Sequence, residues 1–103
     1  MELTLLTFPD CPNAAAFDER LTAALAGHPG LDVNRREIVD ERAAAQAGMH
    51  GSPTLLINGT DPFAAPGQAA SLSCRLYSDE AGRRGPAPSV EALRQAIAAA
   101  GDA

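Results

Sequence analysis

Short apolar runs separated by turn-forming residues divide the first half of the chain. The run from Leu3 to Phe8 contains β-favouring residues and ends at a proline, so it predicts a buried strand. Apolar side chains then recur every four residues, which predicts a helix with one apolar face formed by Phe17, Leu21 and Leu25. Residues 31–39 mix β-branched and polar side chains and predict a second strand at a sheet edge.

The middle of the chain predicts a short helix followed by a third strand. Asp40 suits the N-cap of this helix, and Gly48 suits its C-terminal end. Residues 54–57 read Thr-Leu-Leu-Ile and predict a strand that the chain enters through Pro53. The Asn-Gly pair that follows is typical of a tight turn.

The last third predicts a fourth strand and a final helix. Residues 72–77 alternate between apolar and polar side chains, which places Cys74 on the same face as Leu72 and Leu76. Ser89 is a suitable N-cap for a helix that ends near residue 101. The element order is therefore β-α-β-α-β-β-α. We expect one α/β domain over residues 1–103, with a central mixed four-stranded sheet flanked by about three helices.

Composition narrows the range of partners. The net charge of −5 and the scattered positions of the eight basic residues argue against nucleic-acid binding. No apolar run reaches the ~20 residues of a membrane span, and the N-terminal residues lack the features of a secretion signal. We expect a cytoplasmic protein that does not bind membranes, as a monomer or, through its edge strand, a weak dimer.

Cys11 is the principal candidate for chemistry. Pro12 suits the first helical position, which puts Cys11 at or beside the N-cap, where a helix N-terminus favours a reactive thiolate. Asp10 is either a proton donor or acceptor for this thiol or a solvated turn residue. Cys74 is either a second functional thiol or an inward core cysteine. A lone loop histidine such as His50 is more often a surface residue than a proton relay.

The element order, with a cysteine at the first helix and a proline before the third strand, resembles the thioredoxin-like fold. Four segments are also similar to a family of small bacterial thioredoxin-like proteins, some of them selenoproteins. These segments are Phe8-Pro9-Asp10-Cys11-Pro12-Asn13, Gly51-Ser52-Pro53-Thr54, Asp61-Pro62-Phe63 and Ser73-Cys74-Arg75. The resemblance implies that Pro53 is cis and faces the reactive sulfur. It also implies that Ser52, Pro53 and Thr54 bind substrate, with the Ser52 backbone pairing to an extended peptide or a small thiol, and that Cys11 has a redox or nucleophilic role.

One departure from that pattern limits the chemistry. Dithiol thioredoxins carry Cys-x-x-Cys, and here Ala14 takes the second cysteine position, so no neighbouring thiol resolves a mixed disulfide. Two candidates remain for the thiol that resolves the mixed disulfide on Cys11: an external low-molecular-weight thiol and Cys74. We expect the strand of Cys74 to lie antiparallel to the strand that Pro53 opens.

Three functions fit these residues. The first is a monothiol oxidoreductase in which Cys11 attacks a protein disulfide, a sulfenic acid or a peroxide, with no cofactor beyond a thiol reductant. The second is soft-metal or organomercurial handling by Cys11 and Cys74, with Asp10 as proton donor. The third is a noncatalytic adaptor in which the Pro53 loop (residues 51–54) and the Asp61-Pro62-Phe63 loop form a peptide-docking surface and Cys11 is incidental.

Overall fold

The computed structural model describes residues 1–101 and contains ten elements in this region. In chain order they are β1 (Leu3–Thr7), α1 (Ala14–Ala24), β2 (Val33–Glu37), α2 (Glu41–Ala47), β3 (His50–Ser52), β4 (Thr54–Ile57), β5 (Ser71–Cys74), β6 (Tyr77–Ser78), β7 (Arg84–Gly85) and α3 (Val90–Gly101).

The central sheet has three strands in the order β2-β1-β4. β1 pairs with β2 in parallel and with β4 antiparallel. β1 lies in the middle because its side chains are apolar toward both faces, and Leu3, Leu5 and Leu6 are all buried. The polar strand β2 forms an edge, as its sequence predicts.

The prediction of a four-stranded sheet is wrong in the described part of the chain. β5 does not extend the central sheet but pairs with β3 in a separate two-stranded sheet, and β6 and β7 form a third. β4 turns back on itself at its end, where the Ile57 N–H donates to the carbonyl of Thr60 across the Asn58-Gly59 turn. The chain therefore leaves β4 before a neighbouring strand forms beside it.

The predicted helices are present. Asp40 caps α2 by accepting the Ala43 N–H over 2.7 Å, and Gly48 ends that helix with a φ of 77°, the left-handed conformation that glycine tolerates. Ser89 caps α3 by accepting the Ala92 N–H over 3.0 Å. α1 begins later than its sequence predicts, at Ala14, because residues 11–13 form a turn.

Two apolar clusters cover the two faces of the central sheet. The larger one packs α1 and α3 against β1 and β4, and its buried helical members are Phe17, Leu21, Ala24, Leu93 and Ile97. The smaller one lies under α2 and consists of Leu6, Ile38, Ala44 and Met49. Helices on both faces explain why β1 carries buried leucines on both sides, Leu3 and Leu5 on one and Leu6 on the other. No helix within residues 1–101 is long and apolar enough to cross a membrane.

The segment after β5 faces the opposite way from its predicted orientation. Arg75 and Tyr77 point inward and are 7% and 6% exposed, whereas Leu76 is 53% exposed and Cys74 is also exposed. The interpretation of Cys74 as an inward core cysteine is therefore wrong. The inversion occurs because Arg75 has a buried carboxylate partner, described below, and a paired charge is tolerated inside a protein.

Candidate functional site

Cys11 lies in a tight turn between β1 and α1. Its N–H donates to the carbonyl of Phe8 over 3.3 Å, and its carbonyl accepts the N–H of Ala14 over 3.2 Å. The helix N-cap is Asn13, so Cys11 precedes the cap rather than forming it. The thiol is partly exposed, and Asp10 beside it is exposed with a φ of 60°. Cys11 is therefore partly accessible to a reactant beyond the C-terminal end of the central strand β1.

The Pro53 loop lies against the Cys11 turn. The Phe8 N–H donates to the hydroxyl oxygen of Ser52 over 3.1 Å, which joins the end of β1 to the residue before Pro53. The Ser52-Pro53 peptide bond is cis, the isomer that the resemblance implies for this position. Ser52, Pro53 and Thr54 are fully buried, so their side chains do not form an open substrate surface.

The strand of Cys74 lies beside the same loop. β5 runs parallel to β3 and places Cys74 opposite Ser52, which corrects the predicted antiparallel pairing with β4. The Arg75 N–H donates to the carbonyl of Ser52 over 3.0 Å. A substrate backbone that paired with this carbonyl, as the resemblance implies, would have to displace a contact within the chain.

Two sets of contacts connect the chain segments that carry the two cysteines. On one side, Ser52 contacts the Cys11 turn through Phe8 and lies opposite Cys74. On the other side, the Asn13 side-chain amide donates to the carbonyl of Arg75 over 3.4 Å. Both cysteines are free thiols. The fold therefore connects the two cysteine-bearing segments, which lie far apart in the sequence, through Ser52 and Asn13.

A buried ionic cluster lies behind the Pro53 loop. Asp61 Oδ2 accepts from Arg75 Nη1 over 2.6 Å and lies 2.9 Å from His50 Nδ1. The Asp61 side chain is only 1% exposed, and its other oxygen accepts the Phe63 N–H. Because a carboxylate only accepts hydrogen bonds, Nδ1 is the protonated nitrogen of His50. His50 is thus partly buried and paired, in contrast to the predicted surface residue.

Thr54 and Tyr77 tie this cluster to the loop. The Thr54 hydroxyl donates to the Gly51 carbonyl and accepts from the His50 N–H and from Arg75 Nη1. The Tyr77 hydroxyl donates to the Pro53 carbonyl, and the Arg75 guanidinium lies 4.5 Å from the centre of the Tyr77 ring. Burial raises the pKa of Tyr77, so the phenol stays protonated and remains a donor.

Asp61 and Arg75 belong to segments that the sequence singles out, but their buried ion pair and the contact of Tyr77 with Pro53 were not predicted. Arg75 and Tyr77 alternate along the chain, and that spacing is compatible with either face pointing inward. Asp61 follows the Asn58-Gly59 turn, where an acidic residue is ordinarily solvated. Neither Asp61 nor Arg75 indicates burial by itself. Only the ion pair between them allows both charged side chains to lie inside the protein.

In residues 1–101, no group of three or more His, Cys, Asp and Glu side chains gathers in a way that would hold a metal ion. A two-thiolate site at Cys11 and Cys74 stays a prediction. Comparisons of the chain with models of protein families, with curated proteins and with solved structures find no match in any of the three.

Proposed function

We propose that this chain is a thioredoxin-like thiol oxidoreductase in which Cys11 is the nucleophile and Cys74 is the resolving thiol. The observation that carries the proposal is that the Ser52 and Asn13 contacts connect the two cysteine-bearing segments. Cys11 is partly exposed and Cys74 is exposed, so a reactant in solution can approach both residues. Two free cysteines on connected segments are the groups that a cycle of disulfide formation and reduction requires.

The reaction proceeds in two exchanges. The Cys11 thiolate attacks one sulfur of a substrate disulfide, forms a mixed disulfide and releases the other substrate sulfur as a thiolate. The Cys74 thiolate then attacks the Cys11 sulfur, releases the second substrate thiolate and leaves a Cys11–Cys74 disulfide. The substrate gains two electrons and the protein loses two. A low-molecular-weight thiol returns the protein to the dithiol form through two further exchanges.

A hydroperoxide would enter the same cycle. Attack of the Cys11 thiolate on the peroxide oxygen forms a sulfenic acid on Cys11 and releases an alcohol or water. The Cys74 thiolate displaces hydroxide from that sulfenic acid and forms the same intramolecular disulfide. Resolution by Cys74 therefore serves both substrates, and the external thiol acts only as the reductant.

The test uses one equivalent of an aromatic disulfide, 5,5′-dithiobis(2-nitrobenzoic acid), on the reduced protein. We expect release of both aromatic thiols from each reagent molecule and a protein lighter by two hydrogens, with no adduct. In Cys74→Ser we expect one released thiol and a stable adduct on Cys11. The matched variant Cys11→Ser reports the reactivity of Cys74 alone.

A different result would overturn the proposal. If the unmodified protein releases one thiol per reagent and retains adducts, Cys74 does not resolve Cys11. Equal rates of reaction in Cys11→Ser and in the unmodified protein would show that Cys11 is not the nucleophile. The first result would favour resolution by an external low-molecular-weight thiol, and the second would favour the adaptor hypothesis, in which the Pro53 loop acts without thiol chemistry.

A further inference from the structure

The Arg75–Asp61 pair is unusual in its burial among the ion pairs of residues 1–101. Its side chains are 7% and 1% exposed, whereas the Arg35–Asp18 pair has the same 2.6 Å separation on side chains that are 54% and 39% exposed. Burying two charges removes their hydration, and an apolar pair of similar volume often stabilises a fold equally well. Stability alone therefore does not explain why this pair is inside.

Arg75 contacts the residues on both sides of Pro53 and the residue before α1. Its N–H donates to Ser52, directly before Pro53, and its carbonyl accepts from Asn13, which begins α1 after Cys11. Its guanidinium reaches Thr54, directly after Pro53. The residue also follows Cys74 in the chain. One side chain and its backbone thus connect the Cys11 turn, the Pro53 loop and β5.

The remaining contacts fix the guanidinium itself. Asp61 holds Nη1, and the guanidinium lies over the ring of Tyr77, whose hydroxyl donates to the Pro53 carbonyl. A guanidinium has a planar set of donors, so a hydrogen bond and a stacked ring together define its orientation. Any shift of Arg75 would disturb the loop from both sides of Pro53.

The close packing at Gly51 supports the same conclusion independently. A Cβ atom at this position would lie 2.9 Å from the Arg75 Cβ and 3.1 Å from the Ser73 carbonyl oxygen, and Gly51 has a φ of 109°. Only glycine allows β3 to pass so close to this part of the chain. The position of Arg75 is therefore defined by backbone packing as well as by its charge.

We propose that Arg75, oriented by Asp61, is the positioning residue that holds the Pro53 loop and the Cys74 strand against the Cys11 turn and so sets the effective concentration of the Cys11 and Cys74 thiols toward each other. The inference rests on the proposed function. It assigns to Arg75 no contact with substrate. Arg75 acts through Ser52, Thr54 and Asn13, whose contacts it maintains.

The test replaces the whole pair, in Arg75→Met/Asp61→Leu, because removal of one partner would leave a buried charge and destabilise the protein strongly. Arg35→Met/Asp18→Leu is the control, since it removes an exposed pair of equal length. The first measurement is the effective concentration of the Cys11–Cys74 pair, from the ratio of disulfide to dithiol protein in buffers of oxidised and reduced dithiothreitol. The second is hydrogen exchange at the Phe8 and Arg75 amides of the fully reduced protein.

We expect the buried double variant to remain folded, to lose about tenfold or more in effective concentration, as small misplacements of reacting groups do, and to exchange both amides faster. The control should match the unmodified protein in both measurements. An unchanged effective concentration and unchanged exchange in the buried double variant would overturn the positioning role while leaving the proposed function intact.

The two proposals fail in different ways. If the unmodified protein forms no Cys11–Cys74 disulfide, the proposed function fails, and with it the role of Arg75 in setting the effective concentration of the two thiols. The exchange measurement then still decides whether Arg75 holds the loop, because it needs no disulfide. A double variant that does not fold is replaced by Arg75→Lys, which keeps the charge toward Asp61 but lacks the planar donor set. Full retention of effective concentration in that variant would also overturn the inference.

Discussion

The hydroxyl of Ser52 accepts a hydrogen bond from the backbone N–H of Phe8, a residue 44 positions earlier in the chain. This bond connects the end of β1, just before Cys11, to the loop that carries Pro53. On its other side, Ser52 lies opposite Cys74 in the β3-β5 pair. A single buried serine therefore contacts or faces both cysteine-bearing segments.

Ser52→Ala should weaken this connection. The Phe8 N–H would lose its partner in a part-buried position, and an unsatisfied donor of this kind costs about 1–3 kcal/mol of the free energy of unfolding. Urea unfolding of the reduced protein measures the change. Ser73→Ala, at an exposed position on the neighbouring strand, is the control and should change the stability by less than about 0.5 kcal/mol. Equal effects of the two substitutions would contradict the role of the Ser52 hydroxyl.

Arg75→Ala should be far more costly than Arg35→Ala. Removing Arg75 leaves the buried Asp61 carboxylate without its cation, and such losses cost about 3–5 kcal/mol. Arg35 pairs with Asp18 at the surface, where water screens the charges and the loss is about 0–1 kcal/mol. Thermal and urea unfolding of both variants give the comparison. A loss at Arg75 as small as that at Arg35 would show that the buried pair adds nothing to the fold.

Tyr77 should make the protein sensitive to alkaline pH. Burial raises the pKa of its phenol above the value of about 10 in an unfolded chain. A raised pKa means that the folded state holds the proton more tightly. The contribution is therefore fully present below about pH 10 and is lost as the pH rises from there toward the folded-state pKa.

Tyr77→Phe tests this effect. At neutral pH the variant should be less stable by about 1 kcal/mol, because the Pro53 carbonyl loses its donor. Above pH 10 that difference should shrink, since only the unmodified protein has a phenol to ionise. The chain contains one tyrosine, so the comparison by urea unfolding isolates this group. A difference that stays constant with pH would contradict the burial of a protonated phenol.

Ser89→Ala should destabilise α3 by about 1 kcal/mol through loss of the N-cap that accepts the Ala92 N–H. Ser89 also donates to Glu80, and this hydrogen bond lowers the pKa of the Glu80 carboxyl. The contribution of that bond is present above the ordinary pKa of Glu and is lost as the pH falls through the lowered value. The effect of the substitution should therefore be smaller in acid. Ser89→Asn keeps a capping acceptor and should recover most of the neutral-pH loss, as measured by thermal unfolding.

Gly51→Ala should destabilise the protein and disturb the position of Arg75. The φ of 109° is strained for a residue with a side chain, typically by about 1–3 kcal/mol, and the new Cβ would press on Arg75. Hydrogen exchange at the Arg75 amide, which donates to Ser52, should become faster than in the unmodified protein. Gly30→Ala is the control, because open space surrounds Gly30 and its φ is not in the strained region.

Local patterns in the sequence determined most elements of this fold. The apolar run of β1, the polar composition of β2 and the capping residues Asp40, Gly48 and Ser89 each act over a few residues, and the structure has these features where they were predicted. The Asn58-Gly59 turn is equally local, with both residues at positive φ. Such features depend on backbone preferences and on nearest neighbours, which can be read without knowledge of the tertiary structure.

Strand pairing and the interior of the site were decided by the tertiary structure. Nothing in the sequence of β5 states that it lies parallel to β3 rather than antiparallel to β4. Alternation along residues 72–77 fixes two faces but not which one is inside, and the apolar Leu76 suggested the wrong one. The choice depended on Asp61, because a buried guanidinium is stable only beside a carboxylate. Such a pairing between distant residues exists only after the chain has folded, and here it turns Arg75 inward and leaves Cys74 and Leu76 exposed.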